Sequence, residues 1–280
     1  MKLLLKKFDM SRIGDKSVVV FIGARGAGKS ILCRDLLYHH QSLPAGMVIS
    51  GTEDSNQFYS SIIPSCLIHN QYTPELIEKF VKRQKMITKK MKKEEKLFGS
   101  SKIDPRGFLI MDDCLYDKGW QNDTNIRSCF LNGRHFNTFF IFTSQYALAA
   151  PPILRNNIDF VFILREPRIM SRKKIYDNYA GFLPSFEIFN QVMSQCTENY
   201  ECIVIDNTTK SNNIADQLYW YKADVHNCQF KIGAREFWEI DRNKPMSDDD
   251  GDDDGEELFN VELLQRSKRG PTINVHKTLH

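Results

Sequence analysis

With 280 residues, of which 41 % are hydrophobic and 26 % charged, the chain is long enough to bury a full core and reads as one α/β domain with appendages. No apolar stretch reaches the roughly 20 residues that a membrane span needs, and Leu3-Leu4-Leu5 ahead of Lys6-Lys7 is too short for a signal-peptide core. An intracellular protein that is not secreted is therefore expected.

Residues 1–16 read as an amphipathic or irregular lead-in to a domain spanning 17–240. Val18-Val19-Val20-Phe21-Ile22 is short, β-branched and apolar, as a buried parallel strand should be, and residues 31–38 carry apolar side chains at helical spacing. Between them lies Gly23-Ala24-Arg25-Gly26-Ala27-Gly28-Lys29-Ser30, a complete G-x-x-x-x-G-K-[ST] phosphate loop in its strand–loop–helix context. Its glycines admit backbone conformations closed to residues with a Cβ, so successive N–H groups can turn inward around a phosphate at a helix N-terminus. The nucleotide cradle is taken as Gly23, Ala24, Arg25, Gly26, Ala27, Gly28, Lys29, Ser30 and Ile31. Lys29 is expected to reach the β- and γ-phosphates of ATP, and the Ser30 hydroxyl to ligate Mg2+.

Met47-Val48-Ile49-Ser50 reads as a second strand, and Pro74 with Glu75 opens a long helix within a Lys-rich insertion at about 75–102. Gly107-Phe108-Leu109-Ile110-Met111-Asp112-Asp113 is another buried-strand run that ends in two adjacent carboxylates. Ligands of α/β sheets sit outside the carboxyl ends of the strands, so Asp112 is expected to face the magnesium ion and Asp113 to orient or deprotonate the attacking water. Two carboxylates side by side repel, and a bound divalent cation offsets that repulsion. Thr138-Phe139-Phe140-Ile141-Phe142 then runs into Thr143-Ser144-Gln145. Gln145 carries a donor and an acceptor and suits a bridge between γ-phosphate and water; the alternative is that these residues only close a turn.

Arg155, in Leu154-Arg155-Asn156-Asn157 before the apolar run 158–164, reads as a loop residue near the sheet edge, where its guanidinium could serve a neighbouring subunit's ATP. Arg134, in Asn132-Gly133-Arg134-His135, competes for that role, and either could equally pair with a surface carboxylate. Residues 171–180 and 185–194 read as helices, 201–206 and 218–221 as strands, and 241–280 as an acidic, disordered tail that is almost pure Asp and Gly over 247–257. Seven cysteines (Cys33, Cys66, Cys114, Cys129, Cys196, Cys202, Cys228), without any C-x-x-C, read as reduced core thiols rather than a disulfide scaffold or zinc site. His39, His40 and His135 have no evident partner at metal-ligand spacing and read as structural or surface residues.

Taken in order, the phosphate loop, the Asp112-Asp113 ending, Asn132-Gly133-Arg134-His135, Thr143-Ser144-Gln145 and Leu154-Arg155-Asn156-Asn157 resemble one family over about residues 15–205. It is that of the genome-packaging ATPases of nucleocytoplasmic large DNA viruses, the poxvirus-type branch of the FtsK/HerA superfamily. The resemblance implies an α/β P-loop NTPase fold with a central, mainly parallel sheet flanked by helices and carrying additional strands. It implies a magnesium-dependent ATPase with a polar sensor at Gln145 and an arginine finger supplied in trans. It further implies a homo-oligomeric ring that translocates double-stranded DNA, a capsid or portal component as partner, and the infected-cell cytoplasm or virion as location. The wider superfamily usually has glutamate as its second acid; this chain has Asp113, one methylene shorter.

The formal net charge of +3 averages two unlike pieces, since residues 247–280 carry a net −5 and leave +8 for the body. Ten lysines and arginines in 79–102 meet only Glu94 and Glu95, and Arg165, Arg168, Arg172, Lys173 and Lys174 form a second cluster. In a translocating motor such patches would contact the phosphate backbone without reading sequence; a solvated face or a protein-docking arm are the alternatives. A nucleoside or small-molecule kinase would need an arginine-rich lid, and a guanine-nucleotide switch an Asn-Lys-x-Asp loop, which is absent. A nucleotide-gated adaptor is the remaining alternative.

Overall fold

The computed structural model of the chain describes residues 3–114, 119–226 and 229–243. Cys228 and, beyond residue 243, the acidic stretch read as a tail lie outside the described residues.

Nine strands form one sheet: β1 (Lys6–Lys7), β2 (Val18–Ile22), β3 (Gly46–Ser50), β4 (Ile68–His69), β5 (Gly107–Asp112), β6 (Thr138–Ser144), β7 (Phe160–Ile163), β8 (Glu201–Asp206) and β9 (Leu218–Lys222). Their spatial order is β1-β9-β8-β7-β2-β6-β5-β3-β4. Neighbours are parallel except for the β7–β8 and β8–β9 pairs, so β8 alone runs against the rest. The expected α/β P-loop NTPase fold is present, with the loop-bearing β2 in the middle. β6 is the added strand, inserted between β2 and β5; the register sets Phe21 beside Thr143 and Met111 beside Phe142, which brings the carboxyl ends of all three strands level.

The apolar runs are continuous because both faces of the sheet are covered. Successive residues alternate between two cores: Val18, Val20, Leu109, Met111, Phe140 and Phe142 point into one, and Val19, Phe21, Phe108, Ile110, Phe139 and Ile141 into the other. Helix α1 (Lys29–His39) seals the second core through Leu32, Cys33, Leu36 and Leu37. After the short α2 (Glu53–Asn56), the first core receives α3 (Pro74–Phe98), α4 (Thr124–Asn132), α6 (Ile169–Tyr179) and α7 (Phe186–Cys196). The remaining helices are the four-residue α5 (Pro152–Arg155) and α8 (Arg235–Arg242). Cys33, Cys114, Cys129 and Cys202 are buried thiols.

Two segments differ from their sequence reading. Lys6 and Lys7 pair in parallel with Tyr219 and Trp220, so the stretch read as a lead-in adds an edge strand. Phe8 follows it into the core and meets Phe160, Phe162 and Tyr219 edge-on, with centroids 5.5–5.8 Å apart. Backbone pairing gives no side-chain signal when the strand itself is two lysines. At the other end, α8 crosses residue 240, and Asp241 accepts from the Ser65 hydroxyl at 2.9 Å.

Helix α3 starts where Thr73 accepts from the Leu76 N–H and Pro74 takes the first turn; Gly99 stops it in the left-handed region at φ 77°. Only its first half is anchored, by Ile77, Phe80, Val81, Gln84 and Thr88; no later residue of the helix is buried. The buried Gln84 Nε2 donates to the carbonyls of Pro105, Phe136 and Asn137 at 3.1–3.2 Å. A Cβ at Gly107 would lie 2.7 Å from Gln84 Oε1, so glycine makes room for this amide. Replacing Gln84 by Met keeps the volume and removes the amide whose two N–H groups these carbonyls share, the Asn137 carbonyl keeping the Gly107 N–H at 3.0 Å, at a cost of about 1–3 kcal/mol. The melting temperature should fall by roughly 2–4 °C per kcal/mol; a thermal scan with no shift would contradict this anchoring.

Candidate active site

The carboxyl ends of β2, β5 and β6 face a cleft of about 780 Å³, lined by Arg25, Gly26, Gly28, Lys29, Ser30, Ile31, Thr52, Asn56, Asp112, Asp113, Gln145 and Tyr200. In the phosphate loop Gly26 and Gly28 are left-handed, at φ 74° and 99°. At Gly23 a Cβ would come within 2.7 Å of Leu164 Cβ, so this glycine permits close packing against the end of β7. Gly28 caps α1 without any side-chain hydrogen bond, which leaves the first-turn N–H groups and the positive end of the helix dipole to an anion. Lys29 is buried and donates to the carbonyls of Gly23 and Ala24 at 2.8 and 3.0 Å. Burial lowers its pKa, while the charges of Asp113 and Asp112 oppose that shift. Ala27 packs into the core below.

Asp112 ends β5 and is 7 % exposed. Burial raises its pKa; hydrogen bonds from Thr143 and Tyr59 work against the rise, and the adjacent Asp113 adds to it. Asp113 leaves the strand in the left-handed region at φ 51°. Thr143 ties the pair together: its hydroxyl donates to Asp112 Oδ1 at 2.5 Å and accepts from the Asp113 N–H at 3.1 Å. Two residues on, Gln145 Nε2 donates to Asp113 Oδ2 at 2.5 Å. Ser30 and Asp112 both line this cleft, and a hydroxyl and a carboxylate are oxygen donors of the kind Mg2+ takes.

Arg134 and Arg155 are outside this cleft. Arg134 precedes β6, at the opposite end of the sheet, and lies 3.6 Å from Asp159, whose other oxygen accepts from the Val18 N–H at 2.8 Å. Arg155 does not sit in a loop at the sheet edge: it ends α5, and the strand it precedes, β7, is interior between β2 and β8. Pro151 and Pro152 start that turn, a helix too short to show periodicity. Its guanidinium donates to the Ala150 carbonyl at 3.0 Å and lies 6.0 Å from the Tyr179 ring.

Thr52, Asn56 and Tyr200 are cleft residues that sequence reasoning did not single out, and Thr143 enters it only as part of the strand ending Thr143-Ser144-Gln145, without a role of its own. Thr52 and Asn56 follow β3, so the rule that polar residues past a strand's carboxyl end face the ligand could have found them. Tyr200 gives no such signal. It and Asn199 are both left-handed, at φ 64° and 51°, a strained turn for a bulky residue, and its ring lies 3.2 Å from where a Gly28 Cβ would be.

Because the folded state raises the Asp112 pKa, the fold favours the protonated acid, and stability is lost as pH rises through the carboxylate range to the folded pKa. Asp112→Asn should therefore stabilise the metal-free chain at pH 8, with the gain shrinking as pH falls below the carboxylate range. Urea melts with chelator present measure this; a variant less stable than the parent at pH 8 would contradict it.

No family model matches the chain. It is 40 % identical over 237 residues to the uncharacterized protein L437 of Acanthamoeba polyphaga mimivirus, covering 84 % of this chain and 82 % of that protein. To the uncharacterized protein 075L of Invertebrate iridescent virus 6 it is 38 % identical over 252 residues, 86 % of this chain and 94 % of that one. Among solved structures, the genome packaging NTPase B204 from Sulfolobus turreted icosahedral virus 2 in complex with sulfate aligns with TM-score 0.53 at 16 % identity, over 76 % of this chain and 99 % of B204. The B204 complex with ATP-gammaS gives 0.52 at 16 % identity, over 76 % of this chain and all of that one. The chain therefore belongs to the family of viral proteins that includes mimivirus L437 and iridescent-virus 075L, and it has the α/β P-loop NTPase fold.

Proposed function

We propose that the chain is the ATPase of a viral genome-packaging motor, hydrolysing ATP with magnesium to drive double-stranded DNA into a capsid. The observation that carries this reading is the cleft lined by the phosphate loop and by two acids held at the end of the inserted strand β6, Asp112 by Thr143 and Asp113 by Gln145. B204, a genome packaging NTPase by its own description, has the same fold, which supports the choice among P-loop activities.

Ser30 and Asp112 would hold Mg2+, which when bound neutralises charge on the β- and γ-phosphates. Lys29 has two of its three N–H donors on loop carbonyls and swings its charge onto the phosphates. Asp113 accepts a hydrogen bond from the attacking water and takes its proton as ADP departs. Gln145, donating to Asp113, keeps its own carbonyl oxygen to orient that water. Asp113 is a shorter acid than glutamate, and the bond from Gln145 sets its reach.

In a homo-oligomeric ring Arg155 or Arg134 would complete a neighbour's site, each released from its own-subunit partner. The exposed second half of α3, with Lys89, Lys90, Lys92, Lys93 and Lys96, supplies a backbone-binding arm for duplex DNA; Arg165 and Arg168 are exposed, and the Arg165 carbonyl accepts from the Ala24 N–H of the phosphate loop at 3.2 Å. In the second basic cluster Arg172 is spent internally, on the Glu166 carbonyl, Asn190 and Ser194. Among the described residues no helix is long and apolar enough to cross a membrane, which fits action in the infected cell's cytoplasm or in the virion.

Phosphate release with and without duplex DNA tests the reading. The parent should be stimulated by DNA, with stimulation fading steeply as salt rises. Lys29→Ala and Asp113→Asn should each lower kcat by about 10²- to 10⁴-fold. Mixing Arg155→Ala with Lys29→Ala subunits should restore part of the activity if Arg155 acts in trans; restoration by Arg134→Ala instead would reverse that assignment. Turnover indifferent to DNA in every salt would overturn the motor.

A further inference from the structure

We propose that Asp35, His39 and His226 form a binding site for a zinc-like transition-metal ion, separate from the nucleotide cleft. One ligand atom from each lies within 4.8 Å of the others. Asp35 and His39 are one turn apart on α1, the partner overlooked when His39 was read as a surface residue, and His226 follows β9. The Nε2 atoms of His226 and His39 stand 2.6 and 3.8 Å from Asp35 Oδ1.

The surroundings orient these groups. The second carboxylate oxygen of Asp35 accepts from the Tyr221 hydroxyl at 2.6 Å and the Asp224 N–H at 3.2 Å, which turns Oδ1 toward the two imidazoles. The Tyr38 ring stacks on His226, with centroids 3.6 Å apart and planes 13° from parallel, and so fixes the imidazole plane. The Asp35 side chain is fully buried, and its partners among the described residues are a hydroxyl, an amide and imidazoles, none of them Lys or Arg. Three hydrogen bonds serve this buried carboxylate, one of them to His226 Nε2 at 2.6 Å, and a divalent ion on the imidazole side would replace that shared proton with a fixed positive charge. His39 is 35 % exposed and His226 15 %, which gives an ion a route from solvent.

Two imidazole nitrogens and one carboxylate oxygen suit Zn2+, with Co2+ as its spectroscopic substitute; Mg2+, which prefers oxygens, is refused. Ligand bonds of about 2.0–2.1 Å bring donor atoms to about 3.3 Å from one another. The hydrogen bond between His226 Nε2 and Asp35 Oδ1 opens from 2.6 Å to that spacing as its proton leaves to solvent, rotation of the more exposed His39 brings its Nε2 in from 3.8 Å, and water takes the fourth position. The ion would brace the far end of the helix whose first residue is Lys29 against the segment after β9.

The test uses the full chain, chelator-treated and free of nucleotide. Equilibrium dialysis should find one Zn2+ per chain, and saturating Zn2+ should raise the melting temperature by about 5 °C or more. Co2+ should give visible d–d absorption without a thiolate charge-transfer band, and Mg2+ alone should do neither. His39→Ala, exposed enough to leave the fold intact, and His226→Gln should each weaken binding at least about tenfold; His135→Ala should not. A folded parent that takes up no ion, a thiolate band, or variants that bind like the parent would overturn the site.

Discussion

The Thr143 hydroxyl is the constraint on which the site depends. It reaches both members of the acid pair, donating to the Asp112 carboxylate and accepting from the Asp113 backbone, and it can do so only because β6 lies beside β5 with its carboxyl end level. The same strand pairs with β2 on its other side, and Gly23 donates to the Ser144 carbonyl at 3.1 Å. One strand thus sets the distance between the phosphate loop and the acids. Burial is the main cause of the raised pKa of Asp112 and the half-buried Asp113 beside it adds to the rise; in the proposed reading a bound cation would offset both.

The packing follows from the same requirement. A strand flanked on both sides and covered on both faces must be largely apolar, and β2, β5, β6 and β7 are buried at every residue. The rigidity this gives lets polar groups past the strand ends be held to hydrogen-bond precision. By contrast α3 is pinned at Gln84 and Thr88 and then runs on without a buried side chain, a geometry suited to contact with something large.

What could be read from the residues was whatever is contiguous or periodic. The phosphate loop is a single run, the doubly buried strands announce themselves as apolar blocks, and Asp112 and Asp113 follow from the rule about strand ends. Less local features were not legible. The strand at Lys6 and Lys7 exists through backbone pairing, and α5 is shorter than two turns. Tyr200 reaches the cleft through two left-handed residues that carry no glycine. His39 looked unpartnered because its ligand-spaced neighbour is a carboxylate and its second partner lies far along the chain, at His226. The proposed trans arginine would depend on a surface of another subunit, which one chain's order of residues does not encode.

The most direct measurement of the central arrangement is Mn2+ binding, followed by electron paramagnetic resonance in the presence of a non-hydrolysable ATP analogue. The parent chain should hold one ion tightly together with the nucleotide, and Ser30→Ala and Asp112→Asn should each loosen it by about tenfold or more while the phosphate loop still binds the analogue. Equal ion binding by all three chains would contradict a metal held between that serine and that aspartate.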